Sequence, residues 1–316
     1  MKKLVALLAL ASAVSAVCAQ NFPTRTVRFI SGVTPGAASD TMARILAEKL
    51  SPILGQSVIV ENRLGAGGLV GAKYVAEQAE PDGHTIMMYA SAFTVSTLLS
   101  PNVLDPKELQ AVATVATIPT VMITQPDKYK SIQEFVAKAK AEPGKTVCSD
   151  AGVGSATHMA FERFRFAAGF QALNVHTKGP SEALTEVISG RADCYFALVF
   201  QAHKMRDAGK VGALVVSAPK RSSLMSDLPT TEEAGYANSA YNFWVGALVS
   251  SKTPRDIVER LHKEITALVQ SAEVSAQIRK LGADPLPMSI AEFEAMIARE
   301  LKENAELIKK AGIKAN

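Results

Sequence analysis

The sequence predicts an α/β fold in two lobes, each a mainly parallel sheet flanked by helices. Strand-like apolar runs alternate with helix-like stretches along most of the chain. Its 316 residues exceed what a single core usually serves. One local device, a strand running through a small-residue turn into a helix, occurs twice, at 34–40 and at 149–158.

Val27, Arg28, Phe29 and Ile30 read as the first strand. The turn Thr34-Pro35-Gly36-Ala37-Ala38-Ser39-Asp40 then opens a helix whose Met42, Ile45, Leu46 and Leu50 share one face. Such a turn leaves unpaired backbone N–H groups at the positive end of the helix, which suits a carboxylate. Residues 57–61 and 85–89 read as buried strands, with a helical stretch at 72–78 between them. Strands at 120–124, 146–149, 172–175 and 193–199 alternate with helices at 132–140, from Ala156, and at 181–189. The second turn, Ser149-Asp150-Ala151-Gly152-Val153-Gly154-Ser155-Ala156-Thr157-His158, lies in this part. Two such turns imply a ligand gripped from both sides.

Apolar runs at 211–217 and 244–250 precede a helical C-terminus. Thr253-Pro254 starts a helix with Ile257, Val258, Leu261, Ile265 and Leu268 on one side. Ser289 and Glu292 form an S-x-x-E capping box for a helix carrying Phe293, Ile297, Leu301 and Ile308. These helices are expected to return over the first lobe. No repeat or low-complexity linker is evident, so more than one strand crossing should join the lobes. The expected division is 20–122 with 243–316 in lobe one and 123–242 in lobe two.

The N-terminus reads as a secretory signal peptide over 1–19: Met1-Lys2-Lys3, a short apolar core, and small residues before cleavage after Ala19, with Ala16 as the alternative. The apolar run is too short and wrongly flanked for a membrane span, and Val17 argues against a lipid anchor on Cys18. The expected product is exported to the periplasm. Loss of Lys2 and Lys3 takes the formal charge from +4 to +2. With no basic block or basic–aromatic interleaving, nucleic acid is not an expected partner. Cys148 and Cys194 remain, each at or near a predicted strand. An oxidising compartment permits a disulfide between them, and two buried free thiols are the alternative.

Several tempting motifs have plainer readings. In Gly65-Ala66-Gly67-Gly68-Leu69-Val70, Val70 stands where a dinucleotide loop needs its third glycine, so the segment reads as a packing turn. Ser155 and His158 lack an identifiable orienting acid, so they read as a ligand contact and a structural histidine rather than a nucleophile and base. His84, His203 and His262 are scattered without metal-ligand spacing. His176 is open between a cleft contact and a surface position. No cofactor and no enzymatic activity are expected.

Separated motifs together resemble the Bug-type substrate-binding proteins of tripartite tricarboxylate transporters. They run from Pro35-Gly36-Ala37-Ala38-Ser39-Asp40 through Leu54-Gly55-Gln56, Glu61-Asn62-Arg63, Gly65-Ala66-Gly67-Gly68, Pro81-Asp82-Gly83 and Gly152-Val153-Gly154-Ser155 to His158 and Lys178-Gly179. They continue with Leu228-Pro229-Thr230-Thr231-Glu232-Glu233, Trp244-Val245-Gly246 and Ala311-Gly312-Ile313-Lys314, so the resemblance spans nearly the whole mature chain. It implies a monomeric, two-lobed periplasmic binding protein of the Venus-flytrap type, handing a small carboxylate to a membrane permease. A ligand sensor serving a signalling receptor is the alternative.

By the same resemblance, Val33, Pro35, Gly36, Ala37 and Ser39 form one wall of the cleft, with Asp40 organising the turn. Gly154, Ser155, Ala156, Thr157 and His158 form the other, and Ser91 and Phe93 occupy a third loop facing the cleft. The chain departs from the family at Val33, where an aromatic is usual, at Ala37 for a glycine, at His176-Thr177 for Pro-Tyr, and at Ala197 for an acid. Small side chains at Val33, Thr177 and Ala197 predict a roomier cleft and a larger carboxylate, such as an aromatic dicarboxylate.

Overall fold

In the computed structural model, residues 22–314 form two sheets, each with helices packed against it. The expected signal peptide lies outside the described residues. Strands β1 (Val27–Ser31), β2 (Val58–Asn62), β3 (Thr85–Ala90), β4 (Leu109–Thr117), β10 (Trp244–Ser250) and β11 (Asp284–Pro285) make the first sheet, in the order β11-β4-β10-β3-β1-β2. Strands β5 (Thr120–Thr124), β6 (Thr146–Asp150), β7 (Ala172–His176), β8 (Cys194–Leu198) and β9 (Gly212–Ser217) make the second, in the order β7-β6-β8-β5-β9. Among the described residues, no helix is long and apolar enough to cross a membrane.

Among the described residues, ten α-helices connect and cover these strands: α1 (Ala38–Leu54), α2 (Leu69–Lys73), α3 (Ala92–Leu99), α4 (Ile132–Ala141), α5 (Ala156–Ala168), α6 (Pro180–Ile188), α7 (Val199–Asp207), α8 (Arg255–Gln270), α9 (Ala272–Lys280) and α10 (Ile290–Ala311). The apolar stripe of α1 is buried as the periodicity requires, through Met42, Leu46 and Leu50. Ser289 and Glu292 form the capping box that starts α10.

Both sheets are mixed rather than mainly parallel. β1 pairs in parallel with β2 and β3, and β6 with β7 and β8. β10 runs antiparallel to β3 and β4, and β5 runs antiparallel to β8 and β9. The reversal arises where the chain passes from one sheet to the other. The parallel pairs hold the two small-residue turns, placing each at the carboxyl end of strands whose helices return behind them.

Further features depart from the sequence reading. β4 has the composition Leu-Gln-Ala-Val-Ala-Thr-Val-Ala-Thr, and alanine is a weak strand signal. Its small side chains let α8 and α10 lie close over it. The first crossing is Ile118-Pro119, earlier than the expected 122/123 boundary, because all of β5 belongs to the second sheet. Finally, α10 does not cover only the first lobe. Phe293 and Met296 enter the first core, whereas Leu307 and Ile308 enter the second.

The glycine turn before α2 is structural. Gly67 carbonyl accepts the Tyr89 hydroxyl, and Gly68 sits at φ +96°, where an added Cβ would lie 2.2 Å from Tyr89 Cε2. Gly68→Ala is therefore expected to cost about 3 kcal/mol, combining left-handed strain with overpacking. Denaturant unfolding checks this, and a loss below about 0.5 kcal/mol would remove the steric account.

Candidate functional site

At the first turn, Asp40 is wholly buried and hydrogen-bonded on both carboxylate oxygens. Its Oδ2 accepts from the Gly36 amide at 2.9 Å and from Arg44 Nε at 2.9 Å, and its Oδ1 accepts from Asn62 Nδ2 at 2.7 Å. Asn62 also donates to the Val33 carbonyl at 3.0 Å. Burial alone would push the Asp40 carboxyl up, but Arg44, the Gly36 amide and Asn62 outweigh it and hold it below the usual carboxylate range. The acid is thus ionised and neutralised within the turn. The helix behind it opens at Ala37 with no side-chain cap, so its first-turn amides lack a side-chain acceptor. Pro35 and Gly36 are exposed, Val33 and Ala37 half-buried, and Ser39 buried.

Sequence reading did not find the roles of Arg44 and Asn62. Arg44 stands four residues after Asp40 on one helix, and Asn62 is the register partner of Ser31 at the ends of β1 and β2. The first relation was legible in the sequence; the second required the strand pairing.

The second turn is bound more closely to itself. Ser155 caps α5 by accepting from the His158 amide at 3.2 Å, and its hydroxyl lies 3.0 Å from that of Thr157. Thr157 is buried and accepts from the Ala151 amide at 3.0 Å. His158 is also buried, and its Nδ1 accepts from the Gly154 amide at 3.0 Å. Gly154, Ser155 and Ala156 stay half-buried. A Cβ on Gly154 would lie 3.3 Å from Val95 and from Leu99, so this turn of the second lobe rests on α3 of the first.

Beside it, Asp150 is wholly buried. Its Oδ1 accepts from the Gly152 amide at 2.7 Å, and its Oδ2 lies 2.8 Å from His176 Nδ1. Thr177 returns its amide and hydroxyl to the Asp150 carbonyl, at 3.1 and 2.8 Å. The side chains of Asp150, His158 and His176 bring ligand-type atoms within 4.8 Å of one another. Their convergence was hidden in the sequence, because it depends on the parallel register that sets Asp150 against His176. Two imidazole lone pairs and a carboxylate would suit a transition metal. However, the Gly154 amide already occupies Nδ1 of His158, which places that ring's proton on Nε2 and leaves no free lone pair. As built, the cluster is a proton and hydrogen-bond site.

Three expected cleft residues take other places. Ser91 and Phe93 do not stand on a loop facing the cleft, because the chain turns directly into α3. Ser91 is buried with its hydroxyl 3.1 Å from that of Tyr241, and Phe93 packs edge-on against Tyr89 in the first core. Ala197 is wholly buried in β8 among Val121, Val216 and Val199, so its small size fills the second lobe's core and does not widen the cleft. Cys148 and Cys194 face each other as register partners on β6 and β8 and are joined by a disulfide.

A cavity of about 570 Å³ lies away from both turns, between α5, α10 and the segment leading into β10. Arg163, Arg299, Lys310, Glu303 and the buried Glu300 line it. Arg163, from the second lobe, donates to Glu303 at 2.9 Å and to Asn304 at 3.1 Å on α10. Its mixed charges and place behind the crossings mark it as an interlobe seam.

Comparison with known proteins bears on this geometry. A family model described as "Tripartite tricarboxylate transporter family receptor" matches residues 42–313. Among solved structures, the periplasmic binding protein BugD is 29% identical, with a TM-score of 0.74 over 93% of this chain and 100% of that one. Rpa4515 of R. palustris with adipate is 26% identical, with a TM-score of 0.78 over 93% of this chain and 99% of that one. MatC of Rhodopseudomonas palustris with bound malate is 26% identical, with a TM-score of 0.73 over 91% and 100%. These are solute-binding proteins, not enzymes.

Proposed function

The chain belongs to the receptors of the tripartite tricarboxylate transporter family, and on that premise we propose that it captures an organic dicarboxylate in the periplasm for such a transporter's permease. The observation that carries this reading is the first turn. Its helix opens without a side-chain cap, and its own acid is already neutralised by Arg44 and hydrogen-bonded by Asn62. That leaves a positive helix end able to take a ligand carboxylate. The second turn supplies half-buried Gly154, Ser155 and Ala156 on the other lobe. Lobe closure over the ligand would create the surface that the permease reads.

The bound adipate and malate in similar proteins support the dicarboxylate class. Within it we favour larger acids, aromatic diacids included, because the half-buried side chains beside the turns, Val33 and Thr177, are small. The test is thermal unfolding of the mature protein, stripped of carried-over ligand, against aliphatic diacids, aromatic diacids, citrate and acidic amino acids. A diacid at about a hundred times its dissociation constant should add about 2.7 kcal/mol of stability. A shift confined to acidic amino acids would refute the preference for larger diacids without an amino group, and no shift with any carboxylate would refute capture itself.

A further inference from the structure

The Asp150–His176 pair joins a buried acid to a partly exposed ring. Asp150 has no exposed side-chain surface, while the imidazole bonded to it is 41% exposed. Because Nδ1 of His176 faces Asp150 Oδ2, only Nε2 is left to meet solvent or a ligand. The two residues are register partners at the ends of β6 and β7, so this Nε2 stands at the same end of the sheet as the second turn.

The charged and titratable groups packed around this pair are each engaged elsewhere, held in one state, or exposed. On α5, His158 lies with its ring 4.8 Å from that of His176, nearly perpendicular. Burial first, then the charges of His176 and Arg165, push His158 down to about 3, so it stays neutral. Arg165 is itself paired with Glu162. On β8, Tyr195 is pushed up by burial and stays protonated. On the loop into α6, Lys178 is exposed, and its amide donates to Glu182 at 3.0 Å. Burial pushes the Asp150 carboxyl up, opposed by His176, the Gly152 amide and Asn174.

Building on the carboxylate-capture reading, we propose that Asp150 and His176 form a proton-coupled grip for one ligand carboxylate, which accepts from Nε2–H of the His176 imidazolium while Asp150 balances the charge from behind. Without its shared proton the pair carries one negative charge, offers only a lone pair at Nε2, and repels an anion. With the proton it is neutral overall and presents a donor. One proton is therefore taken up from solvent for each ligand bound to a deprotonated pair. An added carboxylate strengthens the pair's hold on that proton, so affinity rises as pH falls through the pair's titration. Above it, affinity falls by up to about tenfold per pH unit.

The test is calorimetric titration of the mature protein with adipate and with malate between about pH 6 and pH 8.5, where carboxylates of ordinary strength are ionised. Buffers of different ionisation heat report proton uptake directly. The expected result is a loss of affinity of about tenfold or more across this range, with fractional proton uptake per ligand. His176→Asn keeps a donor toward Asp150 but takes up no proton. It should bind with a flat pH profile at the weak, high-pH affinity of the native protein. Asp150→Asn, which keeps an acceptor for the Gly152 amide, should flatten the profile too, and thermal unfolding confirms that each variant is folded. Binding of either acid without pH dependence or proton uptake in the native protein would overturn the grip and leave carboxylate capture standing. Failure of both acids and of the whole carboxylate panel to bind at any pH would overturn the two readings together.

Discussion

Replacing Cys148 and Cys194 together by alanine is expected to lower the unfolding free energy by about 4 kcal/mol, the chain-entropy value for a link of this span. The cysteines are 46 residues apart in sequence and wholly buried. Alanine avoids stranding a hydroxyl in the apolar surroundings made by Phe164, Phe196 and Met122. Denaturant unfolding of the oxidised native protein and the double variant gives the difference. A loss below about 1 kcal/mol would mean that the link does little to restrict the unfolded chain. Reductant should bring the native protein down to the stability of the variant and leave the variant unchanged.

The second large effect is on the pH dependence of stability, where two buried groups act in opposite directions. Burial pushes Glu300 up to about 7 from an ordinary 4.5, although Trp244 Nε1 donates to it at 2.8 Å. Its raised value in the folded state means that it favours folding fully below about 4.5 and loses that contribution as pH rises through 7. That loss is on the order of 3 kcal/mol. His158, pushed down to about 3 from 6.5, has the reverse sign. Its contribution is present above 6.5 and is lost as pH falls toward 3, by on the order of 5 kcal/mol. Between 4.5 and 6.5 the two slopes cancel.

Glu300→Gln keeps an acceptor for Trp244 and should uncover a rise in stability through that window. It should also gain up to about 3 kcal/mol over the native protein near pH 8. His158→Asn keeps an acceptor for the Gly154 amide and should lose the decline on the acid side. The checks are urea unfolding curves for all three proteins across the pH range. Parallel profiles for the native protein and Glu300→Gln would sink the assignment to Glu300.

The local devices were readable in the sequence because each is made within a few residues. The turn at Thr34–Asp40, the helix start at Ala156 and the Ser289–Glu292 box depend only on spacing along the chain. What was not readable depends on which strand lies beside which. Asn62 reaches Asp40 only because β2 pairs with β1. Asp150 meets His176 only because β6 and β7 run in register. Ala197 was misplaced because strand alternation gives two faces without saying which faces the core. Alanine-rich β4 was missed because its apolar side chains are too small to give a strong strand signal.

The disulfide joins the strand that begins the second-lobe grip to the strand that follows it. Every residue assigned to that grip, from Asp150 through Gly154, Ser155 and His158 to His176 and Thr177, therefore lies on a covalently closed ring. A single peptide-bond cut anywhere between Ser149 and Asp193 would leave both new ends attached to the same molecule. The segment also cannot peel away from the sheet by fraying at one end, because its two ends are tied to each other. One nick therefore cannot release the loop on which the second turn is built.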